Sequence, residues 1–307
     1  MELSIVTSLF KSEKFLDEFI GKCVAAVQAC GISDYEIVVV NDGSPDKSIE
    51  KILSLKEKYP VIKVLDFSRN FGHHYAFFAG MKYSKGDYVF NIDCDLEVDP
   101  LILKTFYDEM KQGNHDVIYG YQEKRKGNIL EKYLGGIFWK VFNYLSETSI
   151  PDNILTERLM SRKYVQGLTS LGDKNIFLAG MMYWSGFSQK GIAIQKTMRK
   201  GASTYTFGRR LNLLIEAISS FSAYPLRLLF NAGFLITLLS FLFGIYLIIR
   251  KVMYPENILS GYTSLIVIIL FTTGLIIASL GTLGIYLGKV FNQVKDRPIY
   301  IIKNIYE

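Results

Sequence analysis

The chain has 307 residues, enough for one good-sized domain and an appendage. Half of its residues are hydrophobic, which exceeds the usual content of a soluble protein of this charge, and the excess sits near the C-terminal end. Cys23, Cys30 and Cys94 form no Cys-x-x-Cys pair and adjoin no histidine cluster, which excludes a disulfide framework and a zinc site; the net charge of +6 contains no compact Lys/Arg run, which favours anionic lipid or phosphate over nucleic acid as a partner.

Met1-Glu2-Leu3-Ser4-Ile5-Val6 runs straight into strand-like sequence, with neither a basic n-region nor a long apolar h-region. The front of the chain is therefore expected in the cytoplasm. Residues 3–7, 36–40, 61–65, 88–92 and 117–119 are β-branched apolar runs separated by helical periodicity, the pattern of a mostly parallel sheet covered by helices, an α/β fold. Between the first two runs, Phe15, Leu16, Phe19, Ile20, Cys23, Val24 and Val27 recur at i, i+3, i+4 and i+7 and predict one buried helix face. Pro100 falls in the first turn of a further helix that runs to about Lys111, where its missing N–H is harmless.

The fourth run ends in Asp93-Cys94-Asp95-Leu96-Glu97-Val98-Asp99-Pro100. Ligands of open α/β sheets bind at the carboxyl ends of strands. Carboxylates this close repel one another unless a cation sits among them. Asp93, Asp95 and Glu97 are thus candidate ligands of Mg²⁺ or Mn²⁺, hard ions that would bridge to a diphosphate. Cys94 reads as a small buried filler. His73 and His74 open a helix and point in different directions, so they form no metal pair; one facing a bound phosphate is the alternative to the structural or surface role that they read as. His115 reads as an ordinary loop residue.

Residues 128–146 interleave aromatic and aliphatic side chains with Lys132 and Lys140, as in a helix lying near a membrane surface or an ordinary packed helix with an aromatic face. Residues 208–224 start with Arg209 and Arg210, show Leu211, Leu214, Ile215, Ile218 and Phe221 on one face, and end before Pro225; an interfacial helix is expected. Residues 228–249 and 262–288 carry no charge, and each exceeds the roughly 20 residues that cross hydrocarbon. The link between them holds Arg250 and Lys251, whereas Arg209, Arg210 and Arg227 precede the first span and Lys289, Lys295, Arg297 and Lys303 follow the second, so both termini are expected inside. The expected organisation is a catalytic domain over 1–207, a juxtamembrane helix over 208–227, a two-helix anchor over 228–288 and a cytoplasmic tail over 289–307.

Several motifs in this order resemble one family. They are Val39-Val40-Asn41-Asp42-Gly43-Ser44, Ser68-Arg69-Asn70-Phe71-Gly72 with Ala79-Gly80, the Asp93 block, Arg158-Leu159-Met160-Ser161-Arg162, Pro225-Leu226-Arg227, and Arg297-Pro298-Ile299-Tyr300. The chain resembles the inverting family-2 glycosyltransferases of GT-A fold, and within them the polyprenyl-phosphate sugar transferases. The resemblance implies a metal-dependent hexosyltransferase of the inner membrane that moves a sugar from a nucleotide-sugar to polyprenyl phosphate for cell-surface glycan synthesis. It implies that Asp42 contacts the base and that Ser8, Arg69, Asn70, Asp93, Arg162, Ser203 and Tyr205 flank the donor. Asp95 becomes the principal metal ligand.

Thr156-Glu157-Arg158 stands where the family has Asp-Phe-Arg, so the acid is displaced to Glu157 and Arg158 is retained; with Asp95 they are the expected catalytic group. Ser203-Thr204-Tyr205 stands where many relatives have Ser-Lys-Tyr. Lys124, Arg125 and Lys132 are candidates for holding the acceptor phosphate. A homo-oligomer and a small membrane flippase are further partners compatible with the resemblance. Two other functions are compatible with the sequence: transfer to a lipid-linked glycan or glycolipid, and a non-catalytic scaffold of a polysaccharide export complex.

Overall fold

In the computed structural model of the chain, which describes residues 1–122, 151, 153–195, 222, 224–253 and 262–307, four strands form the parallel heart of a sheet. They are β1 (Leu3–Leu9), β2 (Tyr35–Asn41), β3 (Ile62–Phe67) and β4 (Tyr88–Asn91), linked by α1 (Leu16–Ala29), α2 (Ser48–Lys58) and α3 (His73–Tyr83). The chain continues through α4 (Ile102–Lys111), β5 (Val117–Tyr121), β6 (Ile154–Ser161), α5 (Arg162–Thr169), α6 (Leu178–Trp184) and β7 (Gln189–Ala193). Two long helices follow, α7 (Tyr224–Met253) and α8 (Tyr262–Val294), and then β8 (Ile302–Tyr306).

The sheet order is β7-β5-β6-β4-β1-β2-β3-β8. β1 pairs in parallel with both β2 and β4, and β2 with β3, whereas β6 runs antiparallel to β4 and β5, and β8 antiparallel to β3. Every residue of β1 is buried, as expected of a central strand covered on both faces. On one face Phe19, Ile20, Ile52, Leu103 and Phe106 from α1, α2 and α4 pack on Ile5, Ile37 and Phe90. On the other, Phe77, Met81, Tyr164, Leu168 and Met181 from α3, α5 and α6 pack on Val6, Val38 and Val89. Gly80 lets α3 approach this closely: a Cβ there would lie 2.3 Å from Cγ1 of Val6.

The five strands expected from the sequence are β1 to β5, with ends shifted by up to two residues. α1 buries Leu16, Phe19, Ile20, Cys23 and Val27 as its periodicity predicts. β6, β7 and β8 were not foreseen. β6 interrupts its apolar run with Thr156-Glu157-Arg158, and β8 lies in what reads as a tail. Its ladder with β3 satisfies backbone groups that an exposed edge would leave to water.

Large apolar side chains on α7 and α8 face outward, Phe230 at 73% and Leu287 at 69% exposure among them. Residues Phe271–Val294 of α8, 24 residues of mean hydropathy 1.6 with none of them buried inside the protein, are long and apolar enough to cross a membrane. This is the one such stretch among the described residues; in α7, Tyr224–Ile236 is a shorter apolar segment. The expected interface helices at 128–146 and 208–224 lie almost wholly outside the described residues.

At the opposite end of the strands, a buried carboxylate ties three elements together. Glu36 accepts from Ser4 Oγ at 2.7 Å, Lys63 Nζ at 2.5 Å and the Lys85 N–H at 2.6 Å. Burial pushes its carboxyl up, and these three donors together hold it below the ordinary glutamate value. A lowered folded value means that the stabilisation is present above the unfolded glutamate range and lost as pH falls through the folded value. Glu36→Gln should therefore lower stability by about 1.5–3 kcal/mol at neutral pH, the scale of a hydrogen bond to a charged group, with the difference from wild type shrinking in acid. Thermal melts of the two proteins across pH 3–7 check both the size and the sign.

Candidate active site

The parallel strands end along one edge at Leu9, Asn41, Phe67 and Asn91, and the chain leaving each end contributes to one polar cluster. Asp42, just past β2, is 2% exposed. Its Oδ1 accepts from the Phe71 N–H at 2.7 Å, and its Oδ2 accepts from Asn70 Nδ2 and the Gly72 N–H, each at 3.0 Å. Burial raises the Asp42 carboxyl above its ordinary range while the two backbone N–H groups pull the other way. The carboxylate thus holds the loop after β3 against the turn after β2. Gly43 completes this junction with φ +60 and a Cβ position only 2.4 Å from the Arg69 carbonyl carbon, so a side chain would force the two loops apart. Arg69 lies over the Phe71 ring, 4.2 Å from its centroid.

The same loop delivers His73. Its Nδ1 lies 3.0 Å from Ser8 Oγ near the end of β1, and its Nε2 lies 3.4 Å from Asp93 Oδ1 beyond β4. His73 therefore bridges two strand ends. The sequence treats it as a structural or surface residue; the available signal was its position directly after Phe71-Gly72, which starts α3 at the binding edge. His74 turns the other way, towards Phe177, and burial pushes its imidazole down to about 4, so it is neutral.

Asp93, Asp95 and Glu97 are all half-buried. Leu96, at φ +60, turns the backbone between them, and Asp95 Oδ1 accepts from the Glu97 N–H at 3.0 Å. Among the described residues no group of three or more His, Cys, Asp or Glu side chains converges to hold a metal. The donor set still fits Mg²⁺ or Mn²⁺: hard carboxylate oxygens at an open strand end suit an ion that takes one or two protein carboxylates and fills its other positions from phosphate and water. Cys94 is the buried filler expected of it. Its Sγ donates to the Ser8 carbonyl at 3.2 Å, and burial pushes the thiol up to about 12, which rules it out as a nucleophile at neutral pH.

Of the other residues expected at the site, Glu157 and Arg158 lie on β6 beside the end of β4, where Arg158 is the register partner of Asn91. Both are at most 2% exposed. Arg158 donates to the Leu155 carbonyl at 3.1 Å, while its Nε and Nη1 and the Asn91 side chain meet no hydrogen-bond partner among the described residues. Arg162 is not brought to this edge. β6 runs antiparallel to β4, so four residues beyond Arg158 the chain has reached the start of β4, where Arg162 Nε donates to the Gly86 carbonyl at 2.8 Å. Its expected contact with the donor is replaced by a structural one. Lys124, Arg125, Lys132, Ser203 and Tyr205 lie outside the described residues.

Asp42→Asn retains one oxygen but puts an NH₂ group against backbone N–H donors. It should cost about 1–3 kcal/mol, the penalty for a buried donor left without its acceptor, and loosen residues 70–72. Chemical denaturation and amide exchange of that loop check it.

A model of the family described as glycosyl transferase family 2 matches residues 4–169. Over 306 residues the chain is 37% identical to a Mycobacterium tuberculosis (strain CDC 1551 / Oshkosh) protein named among the glycosyltransferases, with 100% of this chain and 89% of that protein covered. It is 34% identical over 305 residues to the SfII prophage-derived bactoprenol glucosyl transferase of Shigella flexneri, covering 99% and 98%. Among solved structures, glucosyl-3-phosphoglycerate synthase from M. tuberculosis in complex with Mn²⁺ and UDP-glucose aligns with a TM-score of 0.48 at 17% identity, over 71% of this chain and 78% of its own. The family match over residues 4–169 and the 37% identity over the whole chain establish that the chain belongs to glycosyl transferase family 2.

Proposed function

We propose that this glycosyltransferase moves a sugar, with inversion, from a nucleotide-sugar to polyprenyl phosphate at the cytoplasmic face of the inner membrane. The observation that carries the proposal is the gathering of Ser8, Asp42, Asn70, His73, Asp93 and Asp95 at one edge of a sheet whose chain then enters two long apolar helices. The names of the bactoprenol glucosyl transferases that align over nearly the whole chain support the acceptor class.

Two crossings are supported by a parity argument. β8 pairs with β3, so the chain after α8 lies on the same side as the catalytic sheet, and a strand cannot pair across a bilayer. If α8 crosses, α7 must cross as well. Charges at the outer ends, Arg227, Lys289 and Lys295, favour the cytoplasm for that side.

In this reading Asp42 and Asn70 frame the nucleoside, and the start of α3 offers N–H groups and a helix dipole to the diphosphate. Asp93 and Asp95, with Glu97 adjacent, hold Mg²⁺ or Mn²⁺, which when bound offsets charge on the departing diphosphate. His73 fixes Asp93 against Ser8. An acceptor phosphate is already an anion, so its oxygen forms the bond to the anomeric carbon as the bond to the diphosphate breaks, and positioning supplies much of the acceleration. The buried guanidinium of Arg158 is a further cation beside this edge, and Glu157 stands next to it as the acid of the displaced motif.

The test is transfer of labelled sugar from a panel of nucleotide-sugars to a short polyprenyl phosphate by detergent-solubilised protein. Lipid-linked product should form with Mn²⁺ or Mg²⁺, vanish with chelator, and fall by about a hundredfold or more in Asp95→Asn, the scale of losing one electrostatic stabiliser of a transition state. Transfer only to a lipid-linked glycan would replace the acceptor. A folded protein that turns over no donor would contradict the enzyme reading.

A further inference from the structure

The chain that returns from α8 is fastened at both of its ends. At the helix end, Gln293 Nε2 donates to the Gly172 carbonyl at 2.8 Å and its Oε1 accepts from the Lys174 N–H at 3.1 Å. Asp296, which turns the chain at φ +49, pairs with Lys174 Nζ at 2.5 Å. At the other end, β8 aligns Tyr306, Ile305, Asn304 and Ile302 with Val64, Leu65, Asp66 and Phe67 of β3.

The pairing extends past the end of β3 into the loop gripped by Asp42. The Ser68 N–H donates to the Ile301 carbonyl at 3.0 Å. Tyr300 stacks flat on Phe67, with centroids 5.1 Å apart and planes 11° from parallel. Phe67 in turn meets the Phe71 ring edge-on at 5.6 Å, and Phe71 carries the Arg69 guanidinium on its face and gives its N–H to Asp42. One continuous set of contacts therefore runs from the segment after α8 to the loop 69–72. Tyr300 is half-buried in it, and that burial pushes its phenol up to about 12, so it stays neutral. The ordering of a loop is an entropic cost that binding must meet unless the protein has met it already.

We propose that residues 296–306 form a strap that pre-orders the donor loop from the membrane anchor, with Tyr300 as the positioning residue. The proposal rests on the transferase reading, because it takes the 69–72 loop as part of the nucleotide site. It also gives the anchor a second role: the seating of α8 bears on how tightly the donor is held.

The experiment measures dissociation constants for UDP and GDP with Mn²⁺, by calorimetry on the full-length protein in nanodiscs. The proteins are wild type, Tyr300→Leu and Tyr300→Phe, each with its melting temperature. Leu keeps apolar volume but removes the stacked ring; Phe keeps the ring. Tyr300→Leu should weaken the preferred nucleotide about five- to twentyfold, the affinity equivalent of one aromatic contact and its ordering, with Tyr300→Phe keeping wild-type binding. Wild-type affinity in folded Tyr300→Leu, or equal weakening by Leu and Phe, would overturn the strap alone. A folded wild type that binds neither nucleotide would overturn the transferase reading on which it rests.

Discussion

The chain leaves the catalytic sheet for a pair of long apolar helices and comes back to pair with the same sheet, and this closure constrains everything around it. β8 can satisfy the open edge of β3 only if the chain leaving α8 returns to the sheet from which it entered α7. The catalytic domain is then held by two connections rather than one, α7 on entry and α8 with its following turn on exit. A doubly tethered domain has less freedom to rotate over a membrane. For an enzyme whose acceptor is proposed to be a lipid phosphate, that restriction helps keep the acidic edge within reach of the headgroup layer.

The edge itself is organised by backbone donors and short polar side chains more than by ion pairs. Asp42 accepts from two N–H groups and an amide, Asn41 Nδ2 reaches Asp66 at 2.7 Å, and Ser44 Oγ takes the Lys11 N–H at 2.8 Å. Each joins the ends of adjacent elements. Their sum is a rigid rim in which Asp93 and Asp95 are held half-buried, exposed enough to share an ion with a ligand. His73 spans the rim from β1 to the acidic loop.

The parallel heart of the fold was legible because its strands are continuous β-branched runs and its helices have clear apolar faces. Asp93 and Asp95 were legible for a related reason, since they follow such a run and strand ends on one side of a parallel sheet must converge; Asp42 and Asn70 were singled out through the family resemblance. What was not legible depends on direction. Arg162 shares a motif with Arg158, yet β6 runs antiparallel to β4 and carries it to the far end of the sheet. Nothing in Thr156-Glu157-Arg158 reveals that direction. β8 was hidden because Ile302-Lys303-Asn304-Ile305-Tyr306 becomes a strand only through the edge that β3 offers it. His73 was hidden because its neighbours, Ser8 and Asp93, are distant in sequence and meet only after β1 and β4 pair.

The central claim is that the rim binds the nucleotide diphosphate. Hydrogen–deuterium exchange of the full-length protein in nanodiscs, with and without UDP or GDP and Mn²⁺, tests it most directly. The account predicts slowed exchange in three segments that are remote in sequence, 41–44, 68–75 and 92–97, with the nucleotide that binds. Binding that leaves these segments unchanged, or protects the start of β4 around Gly86 and Arg162 instead, would contradict it.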